Sequence, residues 1–393
     1  MPAPHAQKPR IVVFGAGAFG GWTALNLIRR GASVRIIDAW GPGNLRSSSG
    51  GETRVIRATY GTHAIYTAMA IRALHLWSEY DQQWRTDLFR KTGVLWLFGS
   101  DDRFGRASAD TLRAHDIAFE PLSPADARRR YPQIDVSGVS SVFVEPDAGY
   151  LLARRACEHI LQRVVREGGQ YLQAAVAMPA RFGESRGGRV ALADGSSVEA
   201  DGFVFTCGAW LGQLFPDVIG SLVTPTRQEV YHFGTPPGDT RFLDDQLPVW
   251  LDFGDRCIYG VPGAMGRAFK VADDTPGSVM DPTTGERTPT PAGLIAARVF
   301  LTQRFPDLAS APLVGSEVCQ YESTPDANFI IDRHPSVPTA WIIGGGSGHG
   351  FKMGPVIGEI AASLVLGDSE PDPYFGLARF ASPPSGGWQP KWS

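Results

Sequence analysis

The most constraining feature of this chain is a glycine turn set between a strand and a helix. Ile11–Phe14 is a short apolar run, Gly15-Ala16-Gly17-Ala18-Phe19-Gly20 follows it directly, and Gly21–Arg30 carries helical patterning. Ser33–Asp38 then reads as a second strand, which completes a βαβ opening. The three glycines differ in what they allow. Gly15 permits the tight turn, Gly17 lets the main chain approach a pyrophosphate, and Gly20 allows the helix to pack closely on the strand. The helix N-terminus adds positive potential. Asp38 ends the second strand, where its carboxylate can accept both hydroxyls of an adenosine ribose. A dinucleotide site is the expectation. FAD and NAD are both open on this segment alone, and a plain glycine turn with Asp38 as a solvated charge is the bland alternative.

The rest of the composition narrows the class. With 393 residues the chain has room for about two domains and a cleft between them. A net charge of -3 leaves no basic surplus for nucleic acid or anionic lipid, so neither is expected as a partner. The four cysteines, Cys157, Cys207, Cys257 and Cys319, are far apart and form no CxxC pair, which suggests neither a disulfide framework nor a metal site. The apolar run after Lys8 and Arg10 falls short of the roughly 7 to 15 residues of a signal-peptide core, and no stretch approaches the roughly 18 of a membrane span. A cytoplasmic protein, a monomer or small homo-oligomer, is expected.

Along the chain, Ile65–Trp84 reads as a long amphipathic helix, Val94–Phe98 as a strand and Leu151–Glu167 as a helix. Arg189–Ala193 and Val198–Ala200 suggest a hairpin across Asp194 and Gly195, and Gly202–Cys207 a buried strand. Between about 222 and 318 lie further strands, including Val249–Phe253 and Cys257–Val261, with a helix near Ala292–Arg304. The tail from Ser382 to Ser393 is expected to lie loosely on the surface. Glycine-rich sequence returns at Gly344-Gly345-Gly346-Ser347-Gly348-His349-Gly350-Phe351-Lys352, ahead of a helix with Val356, Ile357, Ile360, Ala361 and Leu364 on one face and Pro355 in its first turn. Such a helix start can set backbone N–H groups and dipole against the pyrimidine edge of a flavin, where negative charge gathers on reduction. That favours FAD. Cys207-Gly208-Ala209-Trp210 would suit a second backbone approach to the cofactor, or be a structural turn.

Three separated motifs go further. The first is the glycine turn with Asp38; the second is Gly51-Glu52-Thr53-Arg54-Val55-Ile56-Arg57-Ala58-Thr59-Tyr60-Gly61; the third runs through Cys319-Gln320-Tyr321, Thr324-Pro325-Asp326, Phe329–Asp332 and Ser347–Lys352. Together they resemble the monomeric sarcosine oxidase and N-methyltryptophan oxidase family, FAD-dependent amine oxidases of the D-amino acid oxidase superfamily. The resemblance covers nearly the whole chain. It implies an α/β plus α+β architecture, in which a discontinuous FAD-binding Rossmann-type domain (1–92, 146–221 and 319–393) accompanies a mixed-sheet substrate domain (93–145 and 222–318). It also implies oxidation of a carbon–nitrogen bond in an amino acid, or an N-methyl or cyclic amino acid, with oxygen as acceptor.

Site residues follow by position in those motifs. Arg57 and Lys352 match the family's carboxylate-binding pair, Tyr259 and Tyr321 its pocket aromatics, and Lys270 the lysine that promotes electron transfer to oxygen. Cys319 matches the cysteine that forms a thioether to the flavin. The cofactor contacts implied are Gly15, Gly17, Ala18, Phe19, Gly20, Asp38, Ser48, Ser49, Thr53, Arg54, Val176, Gly208, Trp210, Cys319, Gly345, Gly346, Gly348, His349, Gly350, Phe351 and Lys352. The plain alternatives are that Arg57 and Lys270 are surface charges, that the tyrosines are core, and that Cys319 is a small buried hydrophobe.

Two departures stand out. Where the family carries two histidines before its Gly-Asp-Thr-Arg loop this chain has Ser49 and Gly50, so Arg54 or backbone would have to support flavin attachment. Asp274 stands where sarcosine oxidase has a pocket histidine, and would favour a substrate with a second cationic or hydroxylated group, unless it is a solvated turn residue. A flavin dehydrogenase or a biosynthetic oxidase of an unusual amine with a different electron acceptor, an NAD-dependent dehydrogenase, and a catalytically silent FAD-binding module are the competing readings.

Overall fold

The computed structural model describes residues 8–183 and 188–381, so the tail from Ser382 lies outside the described residues. Among those described, contacts separate two compact units: one made of 8–52, 153–225 and 321–381, the other of 53–152 and 226–320.

The first unit is built on a six-stranded sheet in the order Ile330–Arg333, Ala340–Gly344, Gly202–Phe205, Arg10–Phe14, Ser33–Asp38, Gln170–Gln173. The Ile330–Arg333 edge strand is antiparallel to its neighbour and the other pairings are parallel, a doubly wound pattern. The alternation of Val12 and Phe14, with Phe203 and Phe205 beside them, buries one face against Val190, Val198, Leu211 and Ile219. The opening helix is Ala18–Arg29, three residues earlier at its start than its apolar pattern suggested, because Gly17 in extended conformation already caps it. Its tightest neighbour is the helix Gly354–Leu366: a Cβ on Gly358 would lie 2.7 Å from the carbonyl oxygen of Trp22. The pair of strands Arg189–Ala191 and Ser197–Glu199 forms the expected hairpin.

The second unit carries an eight-stranded mixed sheet, ordered Leu313–Ser323, Thr224–Phe233, Phe269–Asp273, Cys257–Gly260, Val249–Phe253, Val94–Phe98, Ser141–Glu145, Glu120–Leu122. Tyr231, Phe233, Trp250, Phe269 and Val271 pack with Leu301 and Phe305, at the end of the helix Pro291–Arg304, in one apolar core. Strand alternation therefore sends His232, Tyr259 and Lys270 to the opposite face.

Two expectations are corrected here. Leu151 and Leu152 are not helical; they end the strand Gly149–Leu152, paired with Arg54, Thr53 and Phe89, and the helix begins at Ala153. An apolar pair at a helix start fits either state locally, and only the partner strands decide. For the same reason residues 53–92, expected with the first domain, group with the second unit: Thr53–Ile56 and Phe89–Arg90 are the strands flanking Gly149–Leu152.

Candidate active site

In the first unit the switch point of the sheet falls between Arg10–Phe14 and Gly202–Phe205, and the loops leaving both strands meet there. Gly15 has φ of +105° and any Cβ on it would sit 2.5 Å from the Thr206 carbonyl oxygen, so turn and neighbouring loop touch backbone to backbone. The Thr206 hydroxyl donates to the Phe14 carbonyl at 2.7 Å and fixes that contact. Gly20 is tighter still, since a Cβ there would come within 1.9 Å of the Gly15 carbonyl oxygen. Gly20→Ala is accordingly expected to cost on the order of a few kcal/mol and most of the bound flavin; a variant with unchanged melting temperature and full flavin content would refute this packing.

Asp38 is already engaged: its Oδ2 accepts from the Ala16 N–H at 2.8 Å, and its Oδ1 from the N–H groups of Trp40 at 2.8 Å and Gly41 at 2.7 Å. Those bonds aim a carboxylate with lone pairs to spare at the end of the strand. Ser49 Oγ accepts from the Ala18 N–H at 3.1 Å, at the first turn of the helix. Trp210 is buried against Trp40 with centroids 4.8 Å apart, Gly208 opens a short 3-10 turn with φ of +51°, and Val176 bridges to Leu192 beside the hairpin.

The last glycine segment lies against the first. A Cβ on Gly350 would meet Phe19 Cζ at 2.7 Å, while Phe19 contacts Phe329 edge-on and Phe329 stacks on His349 with centroids 4.7 Å apart. Gly345 and Gly348 take φ of +66° and +76°, and Ser347 anchors the loop through its hydroxyl to the Gly345 carbonyl at 3.0 Å. His349 Nε2 is 3.0 Å from the Ala327 carbonyl oxygen. Lys352, 5% exposed, donates to the His349 carbonyl at 3.0 Å, and Phe351 is half-buried beside it. Beside this loop sits Glu322, a buried acid that sequence reading passed over; it accepts from Ser48 Oγ and packs against Gly346. Two backbone cradles stripped of Cβ atoms, side by side with a helix N-terminus, fit an extended anionic dinucleotide.

The second unit gathers the cations. Arg57, 3% exposed, has its guanidinium carbon 4.5 Å from the Tyr60 ring and 5.1 Å from the Trp96 ring, and its Nη1 donates to the Thr59 carbonyl. Burial pushes the Tyr60 phenol up, partly opposed by the Arg57 charge. Lys270 is also 3% exposed; it pairs in register with His232, donates to the Thr53 carbonyl at 3.2 Å and lies 5.5 Å from the Tyr259 ring centroid. Arg54 Nη2 donates to Cys319 Sγ at 3.3 Å. Glu317, two residues earlier on the same strand face, balances these charges with His232 Nε2 at 3.7 Å. Burial raises its carboxyl, but His232 and the Lys270 and Arg54 charges more than offset that and hold it down at about 2.

Burial excludes the reading of Arg57 and Lys270 as solvated surface charges, and of Asp274 as a solvated turn residue. Tyr321 is half-buried in the first unit. Sequence reading missed Glu317, His232, Glu145 and Glu322. The available signal was an acid or histidine interrupting an apolar or strand-alternating run. A cleft of about 590 Å³ in this unit, beside Arg227, Glu229 and Phe300, contains none of the expected site residues. Among the described residues no His, Cys, Asp and Glu group could hold a metal, and no helix is long and apolar enough to cross a membrane.

The pattern of the family described as "DAO: FAD dependent oxidoreductase" matches residues 10–364. The chain belongs to that family. This FAD-dependent oxidoreductase is 30% identical over 382 residues to the monomeric sarcosine oxidase of Streptomyces avermitilis, covering 95% of this chain and 98% of that one. It is 28% identical over 380 residues to the N-methyl-L-tryptophan oxidase of Yersinia pestis (strain Pestoides F), covering 94% and 99%. Among solved structures the fold is shared with the fructosamine oxidase Amadoriase II of Aspergillus fumigatus, with a TM-score of 0.82, 22% identity and coverage of 99% and 93%. It is shared equally with L-proline dehydrogenase from P. horikoshii, with a TM-score of 0.81, 21% identity and coverage of 96% and 99%. The D-amino acid oxidase-like fold and the sarcosine oxidase resemblance expected from the motifs are thereby established.

Proposed function

We propose that this FAD-dependent oxidoreductase oxidises the carbon–nitrogen bond of an amino acid, or an N-methyl or cyclic amino acid, to an imine, with oxygen reduced to hydrogen peroxide. The observation that carries the reading is the burial of Arg57, Lys270 and Lys352, three cations in a chain whose relatives are named for amino-acid amines. Most of the cofactor contacts lie in the first unit, with Thr53, Arg54 and Cys319 in the second; of the substrate contacts Arg57 and Tyr259 lie in the second unit, Tyr321 and Lys352 in the first. Bound FAD supplies the two-electron chemistry that links amine to oxygen.

Arg57 grips the substrate carboxylate bidentately, which fixes the reacting carbon, and Lys352 matches the second carboxylate-binding cation of the resembling family by position. Tyr259 and Tyr321 shape the pocket and orient the amine. The amine must shed its proton before it can be oxidised, and buried positive charge disfavours its ammonium form. The substrate gives up two electrons and two protons, oxygen takes both, and water hydrolyses the imine. Lys270 holds positive charge where oxygen is reduced. Cys319, whose sulfur accepts from the Arg54 guanidinium, is the point of covalent flavin attachment. Asp274 selects a substrate with a second cationic or hydroxylated group.

The purified protein is expected to be yellow, to bleach without air on addition of one or more members of a panel of N-methyl and cyclic amino acids, those with a second cationic or hydroxylated group included, and to give peroxide when air returns. Acid precipitation should leave the colour on the polypeptide, and Cys319→Ser should release it to the supernatant. A colourless protein indifferent to added FAD would end the proposal; a bleached flavin that yields no peroxide would make it a dehydrogenase.

A further inference from the structure

Glu145 closes the strand Ser141–Glu145 and is 2% exposed, after the apolar run Val142, Phe143 and Val144. A carboxylate buried that deeply needs donors. Its Oε2 accepts from the Ala58 N–H at 2.8 Å, and its Oε1 accepts from the Thr59 hydroxyl at 2.5 Å and from the Trp96 indole N–H at 2.8 Å. Two of these donors are the residues immediately after Arg57. The third is the ring whose face lies 5.1 Å from the Arg57 guanidinium carbon. The guanidinium closes the loop by donating to the Thr59 carbonyl. One acid thus fixes the backbone, the hydroxyl and the ring that surround Arg57.

We propose that Glu145 is the positioning residue for Arg57, holding the guanidinium in the one orientation that receives a substrate carboxylate. The inference rests on the reading of Arg57 as that receptor. The geometry demands an acid: a glutamine has one acceptor oxygen, and its NH2 would face either the Ala58 N–H or the Trp96 N–H, neither of which can accept. An aspartate keeps the charge but is one methylene too short to reach all three donors.

The test uses the FAD-loaded enzyme with acetate as a non-reacting carboxylate, followed by flavin absorbance, and with sarcosine and N-methyl-L-tryptophan as substrates. N-methyltryptamine, the same amine without its carboxylate, is the control. Glu145→Gln is expected to raise the acetate Kd and the KM for both amino acids by about 10- to 100-fold, and to leave turnover of N-methyltryptamine unchanged. Placed in an Arg57→Lys background it should have no further effect on acetate binding, since both changes then remove the same interaction. Should Glu145→Gln fail to fold, Trp96→Phe removes a single donor and should move the same constants by less. Equal losses on the amine with and without a carboxylate, or effects that add in the double variant, would overturn the proposal and assign Glu145 to the fold alone. If Arg57→Lys leaves acetate binding untouched, or the unaltered enzyme responds to none of the three carboxylates, the Arg57 reading fails first and takes this one with it.

Discussion

Arg57→Lys is expected to lower kcat/KM for carboxylate-bearing amines by about 100-fold or more, on the order of 3 kcal/mol, with flavin content unchanged. The guanidinium sits between the Tyr60 and Trp96 rings and is nearly inaccessible to water, so whatever anion it binds is held in a dry, weakly screening setting. Lysine keeps the charge but loses the planar fork and the ring stacking, and its ammonium cannot make two parallel bonds to one carboxylate. The loss should appear mainly in KM if the carboxylate is held equally before and during reaction, and in kcat if it is aligned only as the bond breaks. Steady-state rates on N-methyl-L-tryptophan and on N-methyltryptamine check the assignment, because only the acid-bearing amine should suffer.

Lys270→Met should separate the two half-reactions. Reoxidation of the reduced enzyme by oxygen is expected to slow on the order of 100- to 1,000-fold, while reduction by the amine changes little. The side chain lies on the sheet face opposite the core containing Phe269 and Val271, and its ammonium donates to the Thr53 carbonyl at 3.2 Å. Methionine preserves length and apolar stem, so the core should not change, and the charge alone is deleted. Glu317 and His232 stand close by, so the net charge beside Lys270 depends on its partners as well as on itself. Stopped-flow absorbance of each half-reaction decides the matter: equal slowing of both would remove Lys270 from oxygen chemistry.

What could be read from the sequence was local or motif-borne. The turn Gly15–Gly20 was legible because strand, glycine spacing and helix lie within one short stretch, and Asp38 follows at the end of the next strand. The short apolar runs at Val249–Phe253 and Cys257–Val261 were legible as strands, but the burial of Lys270 was not, because it depends on Thr53 and the neighbouring Thr224–Phe233 strand. Glu145 interrupts an apolar run, which was a signal, but its partners were illegible for a stronger reason. Its donors Ala58 and Thr59 are 87 and 86 residues away in the chain, and no spacing rule links an acid at a strand end to an arginine in a distant loop. Glu322 was hidden similarly, its partner Ser48 being 274 residues earlier. The helix boundary at Ala153 failed because Leu151 and Leu152 take their state from partner strands rather than from their own pattern.

Both compact units are threaded from alternating lengths of chain, and this governs how the protein can be made. The strand Arg10–Phe14 is made some 190 residues before its neighbour Gly202–Phe205, and the Ala340–Gly344 strand comes later still. At about 5 to 20 residues per second this apolar strand waits for on the order of ten seconds or more with only its Ser33–Asp38 edge able to pair. Truncated or prematurely terminated chains should therefore be substrates for chaperones and proteases, and expression at lowered temperature with co-produced chaperones is the natural route to soluble, flavin-loaded protein.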